Sequence, residues 1–322
     1  MPNRTSRPTS ARPAESAPAR RPHHPLRGGP APILTACLLW GTTGTVSSFA
    51  PAGAPAAAIG CAGLALGGIL LLLTSRGARS LPARCTRSER RLLLLGAFAV
   101  AGYPVTFYPA VARTGVAVAT VIALGSAPVF AGLLAWLTGR ARPTARWTGA
   151  TSAAVLGCTL LVLGPRLTGA GTPIDLTGVL LATFAGLSYA VYALIGGRLI
   201  THGHESGAVM GALFGAAGLL VLPFAPFVDV TWLGTVRGAA VAGHLALFTV
   251  YLAYRLFGHG LRRTSASAAT SLTLAEPAVA AVLGVSVLGE RLPYLSWCGL
   301  AVLGLGLVLL AVPAKGAVTE GR

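Results

Sequence analysis

Of the eight acids in the chain, Glu15, Glu89, Asp175, Glu205, Asp229, Glu276, Glu290 and Glu320, only Glu276 lies deep in an apolar run, the stretch Ser265 to Leu288. A carboxylate is costly in hydrocarbon, and Pro277 beside it deletes a backbone hydrogen bond. The run is therefore expected to hold either a site or a designed break. At roughly 100° per residue, Thr270, Thr273 and Glu276 fall in a helix wedge of about 120°. This wedge can line a substrate path in which Glu276 binds a cation or a proton. Alternatively, the carboxylate caps backbone groups freed next to the proline.

A second polar line is His244, Phe248, Tyr251 and Arg255 at i, i+4, i+7 and i+11, a spacing that puts them on one side of a regular helix. His244 can relay protons near neutral pH or serve as a hydrogen-bonded packing residue, while Arg255 can anchor by snorkelling. Trp40, Thr43 and Ser47 share a face of an earlier run, as do Phe184, Ser188 and Tyr192, with Tyr103 and Phe107 nearby in pattern. Together these faces can enclose one cavity of aromatics and hydroxyls; singly, packing or interfacial anchoring explains each.

Other chemistry is poorly provided for. There is no GxxxxGK[ST] phosphate loop, and the only lysine is Lys315. HExxH and GxSxG are absent, as is an acidic cluster suited to magnesium. Cys37, Cys61, Cys85, Cys158 and Cys298 show neither metal-ligand spacing nor a disulfide framework. The expectation is a non-enzyme without metal or cofactor.

The elements that must position these residues are membrane helices. With 54% hydrophobic and 10% charged residues, the chain is too apolar for an ordinary soluble domain. Counting about 20 residues per crossing predicts ten spans, near 31–50, 54–75, 92–111, 114–138, 147–165, 177–197, 206–226, 237–257, 264–288 and 294–313. Residues 1–30, rich in Arg, Pro, Ser and Ala, are expected to form a disordered basic tail, and 314–322 a short C-terminal one. Glycines such as Gly63 with Gly67 and Gly211 with Gly215 are expected to pack helices closely.

With the N-terminal tail inside, all but four of the 25 basic residues fall on the inner side, the exceptions being Arg113, Arg166, Arg237 and Arg291. That bias predicts both termini cytoplasmic, and it explains the net charge of +17 without a nucleic-acid partner. One offset of 150 residues aligns Arg113-Thr114 with Arg263-Thr264, Thr120 with Thr270, Trp147 with Trp297 and Gly149 with Gly299. Five spans per copy is odd, so two repeats, 31–165 and 177–313, are expected to be inverted about an axis in the membrane plane.

The pattern LLWGTTG, the block RTSASAATSLTLAEPAVAAVLGVSVLGERLPYLSWCG and the ten-helix duplication resemble the drug/metabolite transporter superfamily, specifically the EamA-type permeases. The resemblance covers about 31–313. It implies an all-α, polytopic inner-membrane protein that exports or exchanges small metabolites without ATP. Two departures stand out. Arg140 or Ala141 sits where a first-repeat glutamate is expected, and Gly63 replaces an arginine that many relatives carry in the second span. On this reading the partners are the bilayer and a small-molecule substrate, with protons and a second copy of the chain as open additions. Glu276 and His244 are the candidates for proton coupling; Trp40, Thr43, Ser47, Tyr103, Phe107, Ser188, Tyr192, Phe248, Tyr251, Thr270 and Thr273 are those for substrate. A non-transporting membrane scaffold and a passive facilitator are the alternatives.

Overall fold

The computed structural model describes residues 30–139, 142–167, 175–227, 229–287, 289 and 291–311. The two tails lie outside the described residues. The secondary structure of the described residues is helical, with short turns and loops between the helices. In chain order the elements are α1 (Pro30–Ser47), α2 (Ala56–Thr74), the short α3 (Leu81–Arg84), α4 (Arg87–Leu137), α5 (Ala145–Leu167), α6 (Leu176–Thr201) and α7 (Ser206–Val221). Two 3-10 turns, Leu222–Phe227 and Thr231–Gly234, lead to α8 (Val236–His244). This helix runs through a π-helical segment, Leu245–Leu252, into α9 (Ala253–Gly260), followed by α10 (Ala266–Leu272), α11 (Ala275–Val287) and α12 (Tyr294–Ala311).

Local sequence sets where these helices begin. Thr86 and Glu89 form a reciprocal capping box at the start of α4. Thr235 accepts from Gly238 N, Ser265 from Ala268 N, and Asp175 from Gly178 N. Asp175 also pairs with Arg113 at 3.3 Å, and the Gly178 N–H and then the guanidinium hold its carboxyl below the usual range.

Although α4 is helical over 51 residues, it cannot be straight. A Cβ on Gly102 would sit 3.4 Å from Ser188 Oγ, whereas Gly186, two residues earlier on α6, lies against Ser126 and Ala123. Residues 102 and 126 would be about 36 Å apart on a straight helix, so α4 doubles back, and α6 packs along both halves. Gly178, at the start of α6, abuts Thr114 and Arg113 near the bend.

Among the described residues, eight stretches are long and apolar enough to cross a bilayer: Ala56–Thr74, Arg87–Thr114, Val118–Leu137, Ala145–Gly164, Leu176–Thr201, Val236–Gly260, Ala266–Val287 and Tyr294–Ala311. The ten predicted crossings thus reduce to eight by this measure. At 16 residues α7 is shorter than a full crossing, and the second half of α1 is enriched in Thr, Ser and Gly. Both are nonetheless helices where spans were expected. Leu94, Leu95, Phe98, Leu156, Phe184 and Leu305 are exposed on these helices, an apolar surface that suits acyl chains rather than water.

Backbone-to-backbone packing holds the helices together. A side chain at Gly157 would collide with Leu303 N, and one at Gly306 would approach Ala154 N at 2.7 Å, so α5 and α12 meet through glycine. On α7, a Cβ added to Gly211 would stand 2.9 Å from Leu71 O, and one added to Gly215 2.5 Å from Leu72 Cβ, both of α2. In lipid, where burial gives little drive between helices, such close contact is the main source of association.

Candidate functional site

Helix α1 is the strut of the site because it donates to two interrupted helices. The ninth predicted span breaks between α10 and α11. The Glu276 N–H bonds Thr273 O at 3.0 Å, leaving Leu272 O to accept from Cys37 Sγ at 3.6 Å. One turn on, Trp40 Nε1 donates to Thr249 O at 2.8 Å inside the π-helical segment. Irregular backbone is thus satisfied by side chains rather than left bare at membrane depth. Trp40 also packs on Tyr254 and Phe257, with ring centroids 5.0 and 5.6 Å away.

Between α1, α2, α4, α6, α7, the π segment, α9 and α11 lies a chamber of about 200 Å³. Its walls include Trp40, Thr43, Tyr103, Phe107, Tyr108, Tyr189, Tyr192, Phe214, Thr249, Tyr254 and Glu276. The rings interlock. Tyr103 stacks on Phe107 at 5.3 Å, Tyr189 lies 5.1 Å from Tyr192, and Phe214 lies 3.7 Å from Tyr254. The Tyr192 and Tyr254 hydroxyls are hydrogen-bonded at 3.1 Å. Glu276 occupies the first turn of α11, where peptide dipoles favour negative charge. It is the only ionisable acid in the wall; no arginine or lysine lines the chamber, and no ion pair reaches Glu276 among the described residues. The arrangement can enclose a small solute with apolar and polar parts and offer it one carboxylate.

Of the sequence candidates, the structure brings Trp40, Thr43, Tyr103, Phe107, Tyr192 and Glu276 to the chamber. It keeps the others out. Thr270 and Thr273 are fully buried and donate to Ser267 O and Thr270 O, which ties their hydroxyls to the helix backbone and leaves both outside the chamber wall. Ser47 ends α1 beyond the lining, and Ser188 faces Gly102 of α4. Phe184 is exposed and does not line the chamber.

The stripe on the eighth predicted span stays outside the chamber wall. Phe248 is exposed and stacks on His244 at 4.9 Å, His244 Nε2 meets Thr42 Oγ1 at 2.9 Å, and Arg255 donates to the Tyr251 hydroxyl at 3.3 Å. None of the four lines the chamber. The π-helical segment is the cause. It widens the period, so Leu245, Thr249 and Tyr254, spaced by four and then five, face inward instead. Gly63, at the position where the family resemblance raised the expectation of an arginine, lines the chamber with Leu245 Cβ 3.1 Å from where its own Cβ would stand.

A second, larger cavity of about 540 Å³ lies farther along α4 and α6, with Gly132, Arg142, Trp147, Arg198, Thr264 and Ser267 in its wall. The indole N–H of Trp147, Nε of Arg198 and the hydroxyl of Thr264 are buried without a hydrogen-bond partner among the described residues.

Comparison with known proteins places this architecture. The transporter YwfM of Bacillus subtilis is 38% identical over 289 residues, covering 89% of this chain and 95% of its own. The inner membrane transporter YedA of Escherichia coli is 27% identical over 205 residues, covering 61% of this chain and 64% of its own. The threonine/homoserine exporter RhtA of Salmonella typhimurium is 34% identical over 160 residues, about half of each chain. A solved crystal structure superposes with a TM-score of 0.69 at 20% identity, covering 87% of this chain and 95% of that one, a likeness of fold. The profile of the EamA-like transporter family matches residues 29–163 and again 176–312. With nearly the whole chain accounted for in those two matches, this multi-pass membrane protein belongs to the EamA-like transporter family.

Proposed function

We propose that the protein is a secondary carrier that moves a small amphipathic metabolite, amino-acid-like in size, by alternating access around the aromatic chamber. The observation that carries this reading is a carboxylate, Glu276, with no side-chain partner among the described residues, at a helix break in the wall of an otherwise uncharged chamber within the membrane-spanning bundle. The rings cover the apolar part of the solute, Thr43 and Thr249 orient its polar part, and Glu276 takes a proton or the solute's ammonium group.

The chain forms ten crossings in two inverted five-helix repeats, α1–α5 and α6–α12. Pairing supports this. Helix α2 packs on α7 and α5 on α12, the pairs an axis between the repeats would exchange. The packing of α6 on α4 is matched by that of α1 on the π segment, α9 and α11. Both termini face the cytoplasm. In support, Arg142 and Arg198 share one cavity at one end of the bundle, and Arg113 stands near the bend of α4 at the other. The chamber, bounded by Gly60, Tyr108 and Thr120 close to that bend, lies on the outer side of the bundle.

Counterflow in proteoliposomes tests carriage, with threonine and homoserine, the solutes named for RhtA, heading a panel of neutral amino acids. Preloading with unlabelled solute is expected to drive transient, saturable accumulation of labelled solute. Unsaturable uptake indifferent to preloading indicates a facilitator, and no uptake of any panel member a scaffold; either result contradicts the proposal.

A further inference from the structure

Away from the chamber, where α3 meets α4 and α6 meets α7, four side chains with metal-binding atoms converge from two distant parts of the sequence. Cys85 Sγ lies 3.9 Å from His204 Nε2, and that nitrogen lies 3.3 Å from Glu89 Oε1. The three ligand atoms are all within 4.8 Å of one another. His202 Nδ1 adds a fourth, 3.5 Å from the same Glu89 oxygen.

We propose that Cys85, Glu89, His202 and His204 form a zinc site. Zinc bonds of roughly 2.0–2.3 Å in a tetrahedron set neighbouring ligand atoms about 3.3–3.6 Å apart. The contacts of 3.3, 3.5 and 3.9 Å lie within a few tenths of an ångström of that range; Cys85, Glu89 and His204 form the compact triad, and His202, which touches Glu89 alone, completes the tetrahedron by a turn of its half-exposed side chain. The donor set, one thiolate, two imidazoles and a carboxylate, suits zinc rather than calcium or magnesium, which take oxygen.

The backbone builds the site. Glu89 divides its two oxygens: Oε2 accepts from Thr86 N and Oγ1 at 2.9 Å each, which fixes the side chain, while Oε1 faces both imidazoles. Gly203, at φ +98°, lets the chain leave α6 in a left-handed turn, so that His202 and His204 approach Glu89 from either side. Cys85 is buried, Glu89 and His204 are mostly covered, and His202, 49% exposed, leaves an entry for the ion. Bound zinc ties the α6–α7 turn to the start of α4, bridging the two halves of the chain.

The test uses the purified full-length protein in detergent with a reductant that does not bind metal, stripped of metal and titrated with cobalt(II) chloride and then zinc chloride. Cobalt at this site is expected to give the visible bands of a tetrahedral complex and a thiolate-to-metal charge-transfer band, both removed by about one equivalent of zinc. The charge-transfer band should vanish in Cys85→Ser and persist in Cys298→Ser, whose parent residue is exposed elsewhere. In His202→Ala, which removes a half-exposed side chain, zinc affinity against a chromophoric chelator should fall by more than the roughly 10–100-fold typical of outer-shell changes. Absence of the charge-transfer band in the parent protein, its survival in Cys85→Ser, or unchanged zinc affinity in His202→Ala overturns the assignment. Should Cys85→Ser fail to fold, the His202→Ala affinity decides.

Discussion

Replacing Glu276 with glutamine is expected to slow uptake in proteoliposomes by at least about tenfold, the ratio that ~1.4 kcal/mol represents, and to flatten its pH dependence. Glutamine keeps the volume and one carbonyl acceptor of the side chain but puts an NH2 donor in place of the second oxygen, and it cannot exchange a proton or carry charge. The effect should be large because nothing else in the chamber can substitute: the remaining wall is rings, hydroxyls and aliphatic groups. His244→Ala is the informative comparison. His244 lies outside the chamber wall and binds Thr42, so its loss should loosen the junction of α1 with α8 and leave the pH profile intact. Parental rates and pH profile in Glu276→Gln would remove the acid from the coupling step.

The second large effect is structural. Trp40→Ala should lower stability by about 3–5 kcal/mol, the cost of truncating a buried tryptophan. Trp40 is 8% exposed, touches Tyr254 and Phe257, and donates to the carbonyl of Thr249 in the π segment. Trp40→Phe restores most of the ring contact but not the donor, and should cost about 1–3 kcal/mol through the carbonyl left without its partner. Unfolding in detergent or by steric trapping in bicelles measures both. If Trp40→Ala melts with the parent, α1 does not clamp the interrupted helices.

Glu276 and Pro277 were legible in the sequence because an acid and a helix breaker inside a long apolar run contradict their surroundings. The consequence for their neighbours was not. Spacing puts Thr270 and Thr273 on the Glu276 face, but it does not say which of the three packing covers: both threonines are fully buried with their hydroxyls bonded to backbone carbonyls. The stripe from His244 to Arg255 failed for a different reason, since its spacing holds only for a period of 3.6 and the chain there is π-helical. Tyr254, Tyr189 and Phe214, which shape the chamber, carry no signal in a single sequence that separates them from other aromatics of the bundle. Cys85, Glu89, His202 and His204 escaped notice because metal-ligand spacing is a local pattern, and these pairs are joined only by the packing of α3 and α4 against the α6–α7 turn. Family membership was readable because the LLWGTTG pattern and the ninth-span block survive as contiguous strings.

The account rests on a chamber that opens to each side of the membrane in turn, and sidedness of labelling tests it most directly. Thr43 lines the chamber and is only partly buried. Thr43→Cys, read against the reactivity of the parent's own thiols, should react with a membrane-impermeant maleimide both in right-side-out and in inside-out vesicles. Reaction should be faster from the outer side, and modification from either side should protect against the other. Labelling confined to one face under all solute gradients, or no labelling beyond the parent's, would contradict alternating access around this chamber.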